Sequence, residues 1–168
     1  MILPPPPTLI HLFDPWSDFY GHSKLAETIV VFVHVGALLL GGGIAVATDR
    51  ATLRALARPV EERAAYRHDL AAAHGWVLTG IVLIAVSGLA LVTSDIETFW
   101  SSPIYWTKMA LVLALLANGF MMNRAEAALS RDEVAEARGW RALHRTAVRS
   151  LGLWFLITAL GIALVNYS

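Results

Sequence analysis

The sequence predicts an all-α fold: a bundle of four transmembrane helices, both termini outside, with a short interfacial segment at the N-terminus. Three observations carry that expectation. Of the 168 residues 57% are hydrophobic and only 15% charged, with a mean hydropathy of +0.58; a soluble domain is about 45–50% apolar and about 25% charged. The apolar residues fall into four blocks, each long enough to cross a hydrocarbon core of roughly 30 Å at about 1.5 Å per residue. Charge is excluded from those blocks and gathered in two connections. Only helices fit such blocks, because backbone groups in lipid need internal partners and the residues do not alternate as a barrel strand requires.

Residues 1–23 form an extramembrane leader and residues 24–168 one membrane domain. The run Pro4-Pro5-Pro6-Pro7 predicts stiff, extended backbone. It also interrupts any apolar helix there, and no basic segment precedes it, so the first span is expected to act as an uncleaved insertion signal. Asp14-Pro15 reads as a helix start. Phe13, Trp16, Phe19 and Tyr20 place that segment in the interface, where amphipathic rings prefer to lie.

The spans are expected over about Lys24–Thr48, Asp69–Thr93, Ile104–Asn123 and Thr146–Tyr167. Loop 49–68 carries Arg50, Arg54, Arg58, Arg63 and Arg67, and loop 124–149 carries Arg124, Arg131, Arg138, Arg141, Arg145 and Arg149. Together they hold all the basic residues except Lys24 and Lys108. The positive-inside rule assigns both loops to the cytoplasm and both termini to the outer side. Loop 94–103 is then outside too, and Trp16, Tyr20, Trp100, Tyr105, Trp106 and Tyr167 gather at that face as an aromatic belt. Loop 124–145, rich in Ala, Glu and Arg, is expected to be partly helical.

Composition narrows the chemistry. Net charge is zero, so no field draws the chain to nucleic acid. Without cysteine there are no disulfides, iron–sulfur clusters, thiolate zinc sites or covalently attached haem. No phosphate loop, His-Glu-x-x-His motif or nucleophile elbow is present.

Ionisable groups inside spans are where function is sought first. His34 lies about 15 Å along its helix from Lys24, near mid-depth. Steps of seven residues give Tyr20, Glu27, His34, Gly41 and Thr48, a polar or small face turned to the bundle. Gly41-Gly42-Gly43 admits a close neighbour, either a helix or a flat cofactor. His34 has three readings: a ligand to haem iron or another metal, a proton relay with Glu27, or an interhelical hydrogen bond. His74 opens the second span, at a depth about 10 Å from that of His34, awkward for two ligands of one upright haem. His68 and His144 read as solvated loop residues. Lys108 either snorkels to the outer interface or reaches inward to His34, a carboxylate or a haem propionate. Asn118 reads as an interhelical hydrogen bond, and Gly80, Ser87, Gly152 and Gly161 as small packing positions.

His34-Val35-Gly36, Gly41-Gly42-Gly43, Asp49-Arg50, Phe99-Trp100, Tyr105-Trp106-Thr107-Lys108-Met109 and Asn118 together resemble small four-helix bacterial membrane proteins. The layout is similar to HemJ-type protoporphyrinogen oxidases and to the membrane core of CopD-type copper-resistance proteins. The resemblance covers roughly residues 25–123. It implies a bacterial inner membrane, bound haem b, and His34, Arg50 and Lys108 at the positions that recur in the HemJ type. The pattern of that type around the last loop and span is not evident.

Three functions follow as expectations. The first is a haem-binding or redox membrane protein, with His34 as an axial ligand and Lys108 or a second histidine such as His74 as the other. The second is a non-catalytic accessory subunit of a larger respiratory or photosynthetic membrane complex, its histidines holding a pigment or simply packing. The third is a transporter, disfavoured by the scarcity of intramembrane charge and of broken helices.

Overall fold

A computed structural model describes residues 4–59, 63–129 and 133–167, apart from the side chains at 64–72, 74 and 133–135. Every described element is helical. They are α1 (Pro7–His22), α2 (Lys24–Ala37), a π-helical turn (Leu38–Gly42), α3 (Gly43–Leu56), α4 (Arg63–Ser94), α5 (Ile96–Ser101), α6 (Pro103–Ala128) and α7 (Glu133–Tyr167). Four helical stretches are long and apolar enough to cross a membrane: Lys24–Leu56, Gly75–Ser94, Pro103–Ala128 and Glu136–Tyr167. The first joins α2, the π turn and α3 in one continuous rod.

The distribution of side chains is that of a bilayer protein. Phe32, Leu39, Val86, Leu89, Phe155 and Val165 face outward, while Asp49, Thr52, Ser87, Asn118, Thr146 and Ser150 are buried. Water would favour the reverse; lipid tails accept the apolar face and drive polar groups into the bundle.

The helices outrun the expected spans. The first continues eight residues past Thr48 to Leu56, and the third passes Asn123 to reach Ala128. The fourth begins by Glu133 rather than near Thr146. Hydropathy marks where lipid ends, whereas alanine, leucine and arginine continue a helix into water at little cost. Much of the expected loop 49–68 is therefore helix, and the helix expected within 124–145 is found on both sides of residues 130–132. Loop 94–103 likewise contains α5, whose first turn is capped by the Asp95 side chain accepting from the Thr98 amide at 3.2 Å.

The leader also differs from expectation. Its helix starts at Pro7, not at Asp14-Pro15, which places Pro15 inside α1. Pro6 has extended backbone (φ −60°, ψ 134°) and Pro7 occupies the first helical position, where its missing N–H costs nothing. Ser23 breaks the chain between α1 and α2 and caps α2, accepting from the Ala26 amide at 3.2 Å. α1 then leans on the end of α4: Trp16 Nε1 donates to the Ala90 carbonyl at 2.9 Å, and Ser17 Oγ to that of Ser94 at 2.7 Å.

The π turn organises the bundle. Before it, the first span packs on α4; after it, α3 packs on both α7 and α4. An ordinary helix turns about 100° per residue, whereas the wider π turn re-aims the residues that follow. Gly41 and Gly42 are both buried there. A Cβ on Gly41 would sit 3.0 Å from the Gly80 Cα, and one on Gly42 would meet the Trp154 ring at 3.0 Å. The glycine run thus admits a helix on one side and an indole on the other. Gly43 is exposed and meets neither.

α6 and α7 form the second pair. Their packed core lies at the arginine-bearing end: Ala125, Leu129, Trp140 and Leu143, with Leu56 of α3 against them. Arg63 joins that end, its Nη2 donating to the Leu56 carbonyl at 2.9 Å and its guanidinium lying 5.4 Å above the Trp140 ring. Both arginine-bearing connections are therefore at one end of the bundle. At the other end Trp100, Tyr105 and Trp106 stack edge to face, with neighbouring centroids 5.3 Å apart.

Candidate functional site

α2 presents His34 to α4. Gly88 leaves room for the ring: a Cβ there would lie 3.2 Å from the His34 Cε1. Nδ1 of His34 is 2.9 Å from the Ser87 Oγ. The Ser87 hydroxyl has one proton, and a 2.6 Å bond to the Leu83 carbonyl uses it. Ser87 must then accept from His34, which puts the imidazole proton on Nδ1 and leaves Nε2 with a free lone pair. Ser87, together with a hydrogen bond between the ring and the Ile84 backbone, sets the tautomer and the orientation of the ring.

Lys108 approaches from α6. Its Nζ lies against Gly161 of α7, 3.6 Å from where a Cβ would be. Its ammonium acts electrostatically on His34. His34 is about 15 Å along the axis from Lys24, Ser87 about 10 Å from Ser94, and Lys108 about 8 Å from Pro103. The site therefore sits below the aromatic rim, on the side of the membrane opposite the arginine-bearing connections. The half of the first span that carries His34 packs on α4, and α6 packs chiefly on α7. His34 and Lys108 thus belong to different helix pairs, and the ammonium brings charge to the imidazole across the join.

The other expected site residues lie elsewhere. Arg50 is exposed at the arginine-bearing end, about 24 Å along the helix from His34. His74 has a side chain outside the described residues, and so has His68. His144 is exposed. The relay from His34 to Glu27 is not assembled: the Glu27 carboxylate pairs with Lys24 at 2.9 Å. Asn118 makes the interhelical bond expected of it, Nδ2 donating to the Thr146 carbonyl at 2.9 Å. Gly80 packs as expected, whereas Gly152 is exposed and a Cβ there would meet nothing within 4 Å.

Two residues gain roles that their sequence context did not show. Ser87, read as a small packing residue, is the hydrogen-bond partner of His34. Asp49, placed in a charged loop, is 2% exposed within the bundle. The signal for Asp49 was its spacing: it follows the buried Gly42 by seven residues, on the same face of a helix that does not stop at Thr48.

Among the described residues no three His, Cys, Asp or Glu side chains come together as a metal site. What the first site offers is a single imidazole lone pair, a nearby ammonium and a join between helix pairs. Such a set supplies one nitrogen ligand, not a protein-only metal cage. Compared with family models, with curated proteins and with solved structures, the chain finds no match.

Proposed function

We propose that this four-helix membrane protein binds haem b between its two helix pairs, with His34 Nε2 as an axial ligand, for redox or haem-handling chemistry. One observation carries the reading: Ser87, its own proton on the Leu83 carbonyl, accepts a hydrogen bond from His34 Nδ1–H and leaves on Nε2 the lone pair an imidazole needs to ligate iron. The bond to Ser87, itself anchored on the Leu83 carbonyl, also holds the ring plane against rotation. Lys108 supplies either the second ligand or a cation for a propionate. When bound, the haem would supply one-electron chemistry, tuned by burial and by these contacts. The resemblance of His34 and Lys108 to the HemJ-type pattern points the same way; Arg50 stands apart from the pair. The arginine-bearing end is assigned to the cytoplasm of a bacterial inner membrane and both termini to the outer side.

The test is an absorption spectrum of the protein purified from haem-replete cells. A Soret band lost in His34→Ala and kept, with a shifted midpoint potential, in Ser87→Ala supports the reading. No Soret band, or one unchanged in His34→Ala, refutes it. The accessory-subunit reading is favoured by a different observation: only 6% of the membrane window of the third span is buried, which leaves α6 open to lipid or to another membrane protein. A colourless protein that co-purifies stoichiometrically with a larger complex would select it.

A further inference from the structure

A second polar cluster lies toward the arginine-bearing end and takes no part in the haem reading. Asp49 on α3 lies beside Ser150 on α7, close enough for the serine hydroxyl to act on its carboxylate. Asp49 is 2% exposed and Ser150 6%. Thr146, one turn before Ser150, is equally buried, and its hydroxyl donates to the Ala142 and Leu143 carbonyls, each at 3.1 Å. Asn118 of α6 reaches the same turn of α7 through its Nδ2 bond to the Thr146 carbonyl. That bond sets which end of the amide is nitrogen and leaves Oδ1 to be satisfied.

Once these protons are assigned, two acceptors remain without a donor. Asp49 Oδ2 and Asn118 Oδ1 are both buried without a hydrogen-bond partner among the described residues. The Thr146 proton is committed to its own helix backbone, and the Ser150 hydroxyl stands beside the carboxylate. No described cation pairs with Asp49. An uncompensated carboxylate and an unpaired amide oxygen are costly in a low-dielectric interior, and either a bound cation or a proton on Asp49 relieves that cost. Oxygen ligands of this kind select hard cations. There is one carboxylate, which balances one charge; a divalent ion would leave an excess buried charge.

We propose that this cluster binds one monovalent metal cation, sodium or potassium. Asp49 is its charged ligand, and neutral oxygens come from the wall formed by Asn118, Thr146 and Ser150. The bound ion ties the first, third and fourth spans together at the end where the two helix pairs meet.

Thermal unfolding of the purified full-length protein in detergent tests this, at fixed pH and equal ionic strength in sodium, potassium or N-methylglucamine chloride. Binding to the folded state alone raises Tm saturably, by roughly 2–5 °C at high occupancy. The rise is expected with sodium, potassium or both, and the two salts identify the ion. It should vanish in Asp49→Asn. Ser150→Ala, which keeps the carboxylate, should move the midpoint to about tenfold higher salt, and it serves where Asp49→Asn does not fold. Equal Tm in all three salts overturns the proposal, as does a cation response unchanged in both variants. A Tm that follows pH but not the salt cation puts a proton on Asp49 in place of the metal, and overturns it as well.

Discussion

Replacing Gly80 by alanine sets a methyl group directly against the Gly41 backbone, where the first span crosses α4. In the reverse direction, a Cβ on Gly41 would lie 3.0 Å from the Gly80 Cα and 3.2 Å from its carbonyl carbon, against ordinary contacts of 3.4–4 Å. Both partners are helix backbone, so no rotamer change relieves the contact and the helices must part by about half an ångström or more. Overpacking of this kind costs about 1–3 kcal/mol, and the backbone-on-backbone geometry puts it at the upper end. Alanine returns up to about 1 kcal/mol through helix propensity. The net loss is about 1–2 kcal/mol, or a Tm lower by about 3–6 °C for a chain of this size. Gly152 supplies the internal control: it is helical and exposed, and a Cβ there meets nothing within 4 Å, so Gly152→Ala gains the propensity alone. Thermal or denaturant unfolding in detergent micelles measures both. A Gly80→Ala protein as stable as Gly152→Ala would refute the close crossing, and with it the role given to the π turn.

Other expectations follow from single contacts. Trp16→Phe removes the Nε1 bond to the Ala90 carbonyl, costs about 1 kcal/mol, and should open α1 to limited proteolysis sooner than the four spans. Asn118→Leu removes the buried bond to the Thr146 carbonyl; interhelical bonds in membranes contribute about 0.6–1.7 kcal/mol, and the unfolding midpoint should fall accordingly. Because the chain has no cysteine, single cysteines introduced at Ala57 and Ser101 report sidedness cleanly. In intact cells a membrane-impermeant maleimide should label the second and spare the first, and the opposite pattern would invert the topology. Gly161→Leu fills the notch beside the Lys108 Nζ and should displace the ammonium, altering any haem spectrum without loss of fold.

Much of the architecture was legible because lipid imposes a coarse rule. Four oily stretches, arginines held to two connections, and an aromatic rim at the far end can be recognised without knowing a single contact. The helix ends were not legible at Thr48, Asn123 or Thr146, because hydropathy reports the solvent around a residue and not its backbone. Residues such as Arg54 and Arg141 stay helical after the lipid has ended. The same limit placed Asp49 in a loop and passed over it as a buried group.

The site divides along similar lines. The importance of His34 could be argued from one ionisable residue in an apolar run. Its tautomer could not, since that depends on Ser87, which lies 53 residues away in sequence, and on where the serine proton goes. Nor could sequence choose between a helix and a flat cofactor at Gly41: both require a small residue, and only the placement of Gly80 and Trp154 shows which neighbours came close. Partition between water and lipid is a property of each segment alone, so the chain carries it openly. Which polar groups meet inside the bundle is a property of pairs of helices, and it comes into being only when they pack.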